Sequence, residues 1–478
     1  MIFVADIGTT AVKAAVFSAG GELIQTAERP VTLIPHKIRN YHETDAGSWI
    51  TAIRDAAASL RISRRESVSA IVISGNGPTL APVGTDDKPL DMAISWMDRR
   101  AGNEAEVVSR LTGFRVDPMY YLPKAYWIFK HRKLIYDDTK YFFSCPEYIS
   151  YLLTGQAKTV LPVPEYEEYI WNEKLVTELG MDWKKFPDFV RPAEYLGETW
   201  KAAENWFDIP PGIPVFAGGP DFIVSLLGTG TVFPGRACDR AGTSEGINLC
   251  TEKLVEDSRL ICVSHVIEGL YNISGIVSTW GKALEWVKEI TGNSDTSYEQ
   301  LFASAETARP GADRLLFLPY LAGERSPIWD PAARGAFIGL TLRHGTNEMI
   351  RAVVESVGYA VKHIITVMEE MGLSVLDLRV TGSQAMSSCW NQIKADITGK
   401  RILVPAMKYS ELAGDLAIAL YGLSTYSSLA EAAESCVQIE REYLPVRERA
   451  ALYDEMFGMY LESYSGLKDI FGRLSAER

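Results

Sequence analysis

Residues 1–17 read MIFVADIGTTAVKAAVF and decide the fold: an apolar, β-rich stretch runs into a turn with one glycine and two threonines, and a second apolar stretch follows. The arrangement returns in residues 240–250, which read RAGTSEGINLC. Each stretch predicts a β-hairpin whose tip exposes backbone N–H groups and small hydroxyls, a combination that attracts anions. Two such tips in separate halves of the chain predict two phosphate-binding turns that hold one polyphosphate between them.

The first hairpin also carries charged side chains beside its turn. Asp6 ends the first strand and Lys13 lies on the return strand. A carboxylate at this place can hold Mg²⁺ through water beside phosphates that the turn cradles, and the ammonium group can neutralise phosphate charge. A strand-end aspartate that only caps a tight turn is the alternative, and the second hairpin favours the phosphate site. The candidate phosphate contacts at the two turns are Gly8, Thr9, Thr10, Gly242, Thr243 and Ser244.

A second acid follows a different strand. Residues 210–221 read PPGIPVFAGGPD, which predicts a turn, an apolar strand and a pair of glycines before Asp221, and a helix is expected over 222–230. An acid at the carboxyl end of a parallel strand lies in the crevice where α/β proteins bind ligands, and a helix N-terminus favours its ionised form. Asp221 can therefore accept a proton from an attacking hydroxyl, with a plain helix N-cap as the structural alternative.

Strand and helix patterns alternate in both halves of the chain. The spacing predicts a helix over 46–62 and a buried strand over 70–75, and then helices over 279–291 and 346–371 and a strand over 378–382. This alternation predicts an α/β architecture. We place the boundary between two domains after residue 237, so that the domains are 1–237 and 238–478.

Composition and missing motifs exclude several classes of protein. A net charge of −13 argues against a general nucleic-acid or anionic-membrane surface. No apolar run approaches the ~20 residues of a membrane helix. The N-terminus reads as a strand and not as a signal peptide, and six cysteines without a C-x-x-C pair indicate a reduced, cytoplasmic chain. Walker, dinucleotide-binding, nucleophile-elbow and zinc motifs do not occur.

Six segments occur in the order and rough spacing of the FGGY carbohydrate kinases, and the chain resembles that family over nearly its whole length. The family includes xylulose, ribulose, gluconate, glycerol and rhamnulose kinases. The segments are DIGTTAVKAAVF (6–17), ISWMDRR (94–100), GIPVFAGGPDFIVSLLGTG (212–230), AGTSEG (241–246), RSPIWDPAARGAFIGLT (325–341) and VTGSQAMSSCWNQIKADITGKRILVP (380–405).

The resemblance implies an actin-like fold of two RNase-H-like domains, with ATP and sugar in the cleft between them. It implies that Asp6 is the metal-associated acid, with Asp221 beside the same Mg²⁺ and acting as the general base. It assigns sugar binding and the base to the N-terminal domain and the nucleotide to the C-terminal one. By position, the adenosine motif contains Gly382, Ser383 and Asn391, and the sugar site contains Asn76, Gly77, Trp96, Asp98 and Asp221.

Two departures from the family pattern bear on specificity. The adenosine motif reads Gly382-Ser383-Gln384 where the family often has three glycines. After the second core strand the chain reads Gly75-Asn76-Gly77-Pro78, where xylulose kinases usually carry a Met-His-Gly segment. A pentulose such as xylulose is the acceptor that the family favours, and the missing histidine puts that acceptor in doubt and leaves a different polyol or keto-sugar open.

The sequence therefore predicts ATP-dependent phosphorylation of a small sugar or polyol. Two alternatives stay open: an actin- or chaperone-like ATPase whose output is conformational change, and a sugar-binding sensor without kinase output. We expect no nucleic-acid partner and no membrane. A homodimer is left open because dimers are common among soluble enzymes.

Overall fold

The computed structural model describes residues 1–36, 38, 40–62, 68–242 and 244–475, apart from the side chains of Trp280, Ser383 and Gln384. These residues form two compact units. The first unit is Met1–Gly228 with Glu411–Cys436, and the second is Thr229–Ser410 with Val437–Arg478.

The strands are, in chain order, β1 (Ile2–Ile7), β2 (Ala11–Phe17), β3 (Leu23–Pro30), β4 (Leu33–Ile34), β5 (Glu43–Thr44), β6 (Ala70–Gly75), β7 (Ala81–Val83), β8 (Ala93–Ile94), β9 (Tyr141–Phe143), β10 (Lys158–Val160), β11 (Asp188–Val190), β12 (Tyr195–Glu198), β13 (Pro214–Pro220), β14 (Arg236–Ala241), β15 (Glu245–Thr251), β16 (Ile261–Ser264), β17 (Tyr271–Val277), β18 (Leu316–Leu318), β19 (Ala336–Ile338), β20 (Asp377–Thr381), β21 (Arg401–Pro405) and β22 (Ile439–Tyr443).

The α-helices are, in chain order, α1 (Ala46–Ser59), α2 (Gly102–Thr112), α3 (Tyr121–His131), α4 (Lys133–Asp138), α5 (Cys145–Thr154), α6 (Glu167–Ile170), α7 (Glu173–Glu178), α8 (Lys201–Phe207), α9 (Asp221–Gly228), α10 (Trp280–Ile290), α11 (Tyr298–Thr307), α12 (Thr346–Glu370), α13 (Ser388–Thr398), α14 (Ser410–Gly422), α15 (Leu429–Ser435) and α16 (Arg447–Ser475).

The first unit is built on a mixed sheet with the strand order β12-β13-β6-β1-β2-β3. Its central strands β1 and β6 are buried along their whole length, as their continuous apolar sequences require. β1 pairs antiparallel with β2 and parallel with β6, and β6 pairs parallel with β13. The carboxyl ends of three parallel strands therefore lie side by side, with Ile7 opposite Gly75 and Gly75 opposite Pro220.

The second unit repeats this plan in a sheet with the order β16-β17-β15-β14-β20-β21-β22. β14 pairs antiparallel with β15 and parallel with β20, so that Arg240 lies opposite Thr381. Its core is formed by the apolar face of α12 together with α13 and α16, with Val357, Trp390 and Tyr460 fully buried. The predicted α/β fold is confirmed, and its two units share one pattern of strand pairing.

Helices α14 and α15 belong to the first unit although they follow the second unit's β21 in the chain. Glycines permit this close packing. A Cβ atom on Gly414 would lie 1.9 Å from the carbonyl oxygen of Val224 in α9, and one on Gly422 would lie 2.5 Å from the ring of Phe216 in β13. The sequence-based division at residue 237 assigned this segment to the other half. As a division into sugar and nucleotide domains, it stays a prediction.

The long elements lie close to where their spacing predicts them. The helix expected over 346–371 is α12, the helix expected over 279–291 is α10, and β6 matches 70–75. The helix expected over 46–62 ends three residues earlier, at Ser59. Among the described residues, no helix combines the length and the apolar character needed to cross a lipid bilayer.

Candidate active site

The first hairpin turn lies at the carboxyl end of β1. The Gly8 N–H group donates to the carbonyl oxygen of Ala11 at 3.0 Å, and a Cβ atom at position 8 would lie 2.8 Å from that same oxygen. Only glycine therefore fits this turn without a shift of backbone. The hydroxyl of Thr9 accepts a hydrogen bond from the indole N–H of Trp96 at 3.1 Å, whereas Thr10 is exposed.

Asp6 is almost completely buried directly beneath this turn, with 1% of its surface exposed. One carboxylate oxygen lies 3.8 Å from the ammonium group of Lys13, and the other lies 3.4 Å from the hydroxyl of Ser74. The structure thus brings together the two charged residues that the sequence pointed to. It adds Ser74, which the sequence analysis did not single out.

Two further acids reach this group from α14, and the sequence analysis missed both. Oδ2 of Asp415 lies 2.6 Å from the Ser74 hydroxyl. Glu411, one turn earlier, lies 4.0 Å from Lys13 and 3.4 Å from the hydroxyl of Ser225 in α9. Two acids four residues apart in the apolar stretch SELAGDLAIAL (410–420) were the available signal, because such acids share one face of a helix.

The surroundings of Asp415 disfavour the charged form of its carboxyl group. Burial raises its pKa well above the usual range, and the charges of Asp6 and Glu411 add to the shift, while the hydrogen bond with Ser74 opposes it. Its Oδ1 atom has no hydrogen-bond partner among the described residues. An unpaired oxygen costs less on a neutral acid than on a carboxylate.

Asp221 is the first residue of α9 and follows β13 directly. Two glycines set its position. A Cβ atom on Gly218 would lie 2.1 Å from the Ile73 carbonyl oxygen, and Gly219 has φ of +155° where the pairing register shifts. This irregular, close approach to β6 places Asp221 at the edge of the sheet where the parallel strands end, beside Gly75. The end of β1 that carries Asp6 lies at the same edge, one strand further along. The Asp221 side chain is partly exposed.

The predicted sugar residues that follow β6 hold their own loop. The Asn76 amide donates to the Ile7 carbonyl oxygen at 2.9 Å and accepts from the Thr79 hydroxyl at 2.6 Å. A Cβ atom on Gly77 would lie 2.8 Å from the Tyr121 hydroxyl. Asn76 is 7% exposed, so its contact with substrate stays a prediction.

Lys124 of α3 supports the same loop and was not expected from the sequence. Its ammonium nitrogen lies 2.5 Å from the carbonyl oxygen of Pro78, and the side chain is fully buried. Burial lowers the pKa of Lys124 well below its usual value, although Asp98 opposes that shift.

Asp98 lies in a buried ionic cluster. It accepts hydrogen bonds from the backbone N–H of His42 at 2.6 Å and from two guanidinium nitrogens of Arg100 at 2.7 and 3.0 Å. Arg100 also pairs with Glu43 at 2.7 Å and lies 3.9 Å over the ring of Tyr41. Asp98 therefore organises the loops around Trp96, and its direct contact with a sugar stays a prediction.

In the second unit, the second hairpin and the predicted adenosine motif lie side by side. The Gly242 N–H group donates to the Ser244 carbonyl oxygen at 2.9 Å, and Thr243 lies outside the described residues. Gly382 has φ of +94°, and a Cβ atom on it would lie 2.0 Å from the Ala241 carbonyl oxygen. The close contact with the hairpin backbone thus requires glycine at position 382.

The rest of the predicted adenosine motif follows this contact. Ser383 begins a short 3₁₀ turn and its side chain is outside the described atoms. Asn391 in α13 is fully buried, and its amide donates to the Ala385 carbonyl oxygen at 2.5 Å. Asn391 shapes the turn, and its contact with a nucleotide stays a prediction.

The first unit fits a magnesium ion that is held by one or two carboxylates and completes its coordination with water and substrate phosphates. The described residues contain no group of three or more His, Cys, Asp or Glu side chains placed to hold a metal. Mg²⁺ does not need one, because it usually binds one or two carboxylates together with water and substrate phosphates. Asp6 beside an anion-binding turn, with Asp221 at the same sheet edge, is a donor set of this kind.

Comparisons with known proteins match both halves of the chain to one family. Residues 1–228 match the N-terminal domain, and residues 240–423 the C-terminal domain, of the FGGY family of carbohydrate kinases. The chain is 27% identical to a xylulose kinase of Staphylococcus epidermidis, with 97% of this chain and 96% of that protein covered. It is also 27% identical to a gluconokinase of Bacillus subtilis, with 95% and 94% covered.

Among solved structures, ligand-bound xylulose kinase from Lactobacillus acidophilus superimposes with a TM-score of 0.87 at 23% identity, over 99% of this chain and 100% of that one. This likeness shows the fold.

Proposed function

The chain belongs to the FGGY family of carbohydrate kinases, and from that premise we propose that it transfers a phosphoryl group from ATP to a hydroxyl of a small sugar, with Asp221 as the general base. The class of enzyme follows from the family. The phosphoryl donor, the base and the acceptor are our proposal.

One observation carries the proposal. In the first unit, three parallel strands end at one edge, and that edge carries the anion-binding turn after Ile7, the loop after Gly75 and the acid after Pro220. A phosphate contact, a loop with polar side chains and a partly exposed carboxylate are the parts that phosphoryl transfer to an alcohol requires.

The chain's own residues bind the phosphates and accept the proton of the acceptor hydroxyl. Backbone N–H groups at the turns that begin at Gly8 and Gly242 hold phosphate oxygens, and Lys13 neutralises part of their charge. Asp221 accepts the proton of the attacking sugar hydroxyl, a step typically worth ~10²–10⁴ in rate. Asp6, with Asp221, would hold Mg²⁺. When bound, that ion supplies charge neutralisation at the phosphates.

The acceptor is proposed from chemistry and from relatives. Similar proteins carry the names xylulose kinase and gluconokinase, so a pentulose such as xylulose and an aldonate such as gluconate are the first candidates. The buried Asp98–Arg100 pair ties the loop around Trp96 to His42 and Glu43. A site built to hydrogen-bond a sugar hydroxyl rejects analogues that lack it, because its buried polar groups are then left unpaired. We expect the enzyme to act in the cytoplasm, and a homodimer stays a prediction.

A screen of ADP release tests the proposal. Purified protein with ATP and Mg²⁺ is offered pentuloses, hexuloses, aldonates and polyols, each against a control without sugar. We expect ADP release that depends on one acceptor and a phosphorylated product of matching mass. Sugar-independent ADP release would favour an ATPase, and sugar binding without ADP release would favour a sensor. Either result would overturn the proposal.

A further inference from the structure

Three charged side chains are completely buried together inside the second unit. Lys394 of α13, Asp239 of β14 and Glu245 of β15 each have 0% of their side chain exposed. The Lys394 ammonium lies 2.5 Å from one oxygen of Glu245 and is hydrogen-bonded to the carboxylate of Asp239. We call these residues the buried triad.

The buried triad joins the two elements to which we assign the nucleotide. Asp239 and Glu245 lie on the two strands of the second hairpin, and Glu245 directly follows Ser244 of its turn. Lys394 lies three residues after Asn391 on the helix of the adenosine motif. A single ammonium group therefore links both hairpin strands to that helix through buried ion pairs.

Electrostatics explains why the ammonium must be there. Burial raises the pKa of Glu245 well above its usual value, and the negative charge of Asp239 adds to the shift while Lys394 opposes it. Burial alone would lower the pKa of Lys394, but the two acids outweigh burial and raise it. Without the ammonium, buried negative charge would lie under a turn that must receive phosphates.

We propose that Lys394 is a positioning residue for nucleotide binding: by pairing with Asp239 and Glu245 it fixes the second hairpin against the adenosine-motif helix and cancels their negative charge beneath the phosphate turn. This inference rests on the proposed function, because it needs the second unit to bind ATP.

The main test compares two buried cations of the same unit. Lys394→Met keeps the length of the side chain and removes its charge. The matched control is Arg351→Met: Arg351 is also buried, lies 2.8 Å from Glu355 and donates to the carbonyl oxygens of Ala305 and Ala308, and none of its described hydrogen bonds or ion pairs reaches either nucleotide element. Both variants should unfold at lower temperature than the wild type, since breaking a buried ion pair is costly.

Only Lys394→Met should lose nucleotide affinity. Calorimetric titration with ATP, below the melting temperature of both variants, should give a dissociation constant at least about tenfold higher for Lys394→Met and within about twofold of wild type for Arg351→Met. The KM for the sugar should stay within about twofold in both. Unchanged ATP affinity in Lys394→Met, or equal losses in the two variants, would overturn the inference.

A neutral replacement covers the case in which Lys394→Met does not fold. The triple variant Lys394→Met/Glu245→Gln/Asp239→Asn leaves no buried charge and keeps the shapes of the side chains. We expect it to fold and to bind ATP at least about fivefold more weakly than wild type, because the link between helix and hairpin is gone. Wild-type affinity in this variant would overturn the inference. If the wild-type protein itself binds no ATP, the proposed function fails, and the inference with it.

Discussion

The hydroxyl of Ser74 lies between two carboxyl groups, 2.6 Å from Asp415 and 3.4 Å from Asp6. The serine hydroxyl has one proton to donate, and the shorter of its two contacts is the one with Asp415. A side chain on α14 therefore competes with Asp6 for a hydrogen bond near the end of β1.

Replacement of Asp415 by asparagine tests this arrangement through stability. Because the pKa of Asp415 is raised in the folded protein, the unfolded chain loses this proton first as the pH rises above about 4, and the wild type loses stability relative to Asp415→Asn. Urea unfolding at pH 5 and pH 8 should show the difference in the free energy of unfolding growing in favour of the variant as the pH rises. A difference that does not change with pH would show that Asp415 is ionised in the fold.

Asp221→Asn should abolish sugar phosphorylation and leave nucleotide binding nearly intact. The amide keeps the shape of the side chain but cannot accept the hydroxyl proton, so kcat should fall by a factor of ~10²–10⁴. Steady-state kinetics and ATP titration measure the two effects separately. Asp188→Asn, at an exposed position of β11 in the same unit, is the control and should behave as wild type. Near wild-type turnover in Asp221→Asn would remove Asp221 from the role of base.

Gly242→Val should weaken ATP binding without unfolding the protein. Among the described residues, a Cβ atom there would meet the Ser244 carbonyl oxygen at an ordinary 3.7 Å and no other atom within 4 Å, so these parts of the hairpin can accommodate a side chain. A ligand that approaches the backbone cannot, and the dissociation constant for ATP should rise about tenfold or more. Unchanged ATP affinity would show that the second hairpin does not touch the phosphates.

Gly382→Ala should destabilise the protein itself. Position 382 combines a φ of +94° with a clash at 2.0 Å against the Ala241 carbonyl oxygen, whereas Gly399 has φ of +69° and open space around it. Gly399→Ala should cost about 1 kcal/mol of unfolding free energy, and Gly382→Ala roughly 3 kcal/mol. Denaturant unfolding of the pair measures the difference. Equal costs would mean that the hairpin backbone yields to the added methyl group.

Acid should weaken the second unit through His265. Burial lowers the pKa of His265 to about 4 from the usual 6.5, and its Nδ1 accepts a hydrogen bond from the backbone N–H of Ile267. Between these two pH values His265 binds a proton in the unfolded chain but not in the folded chain, so the free energy of unfolding falls as the pH falls. The contribution is about 3 kcal/mol.

Burial also lowers the pKa of His363 to about 4, so its effect adds to that of His265. Unfolding measured from pH 7 to pH 4 should therefore give a steeper loss for wild type than for His265→Asn. Identical slopes would contradict the assignment.

Periodicity and turn chemistry were sufficient to predict the hairpins, the long helix α12 and the edge position of Asp221. They rest on local rules: glycine at a tight turn, a β-branched run in a buried strand, an apolar stripe at helical spacing. The partners of Asp6 could not be predicted in this way. Ser74 comes from a neighbouring strand and Asp415 from a position 341 residues further along, and such contacts follow from packing.

The candidate contacts Asn76, Asp98 and Asn391 illustrate a second limit of prediction from sequence. Resemblance placed them at the sugar and nucleotide, yet each is buried and bonded to protein groups. A sequence motif identifies the residue that a site needs, and it does not separate a residue that touches a ligand from one that holds the loop in place. Lys124 and Lys394 lie on the buried faces of α3 and α13. The signal was readable for Lys124, which is buried together with Leu122, Ala125 and Ile128, and weaker for Lys394, whose helix also buries Asn391 and Asp396.

The return of Glu411–Cys436 to the first unit means that neither half can be excised as one uninterrupted piece of gene. A protein truncated after Gly228 would lack α14, and with it Asp415, the cover over Val224 and the helix that meets Phe216. Such a fragment would present a bare apolar groove to water. Attempts to produce the lobes separately would have to splice 411–436 onto the amino-terminal piece through an artificial linker.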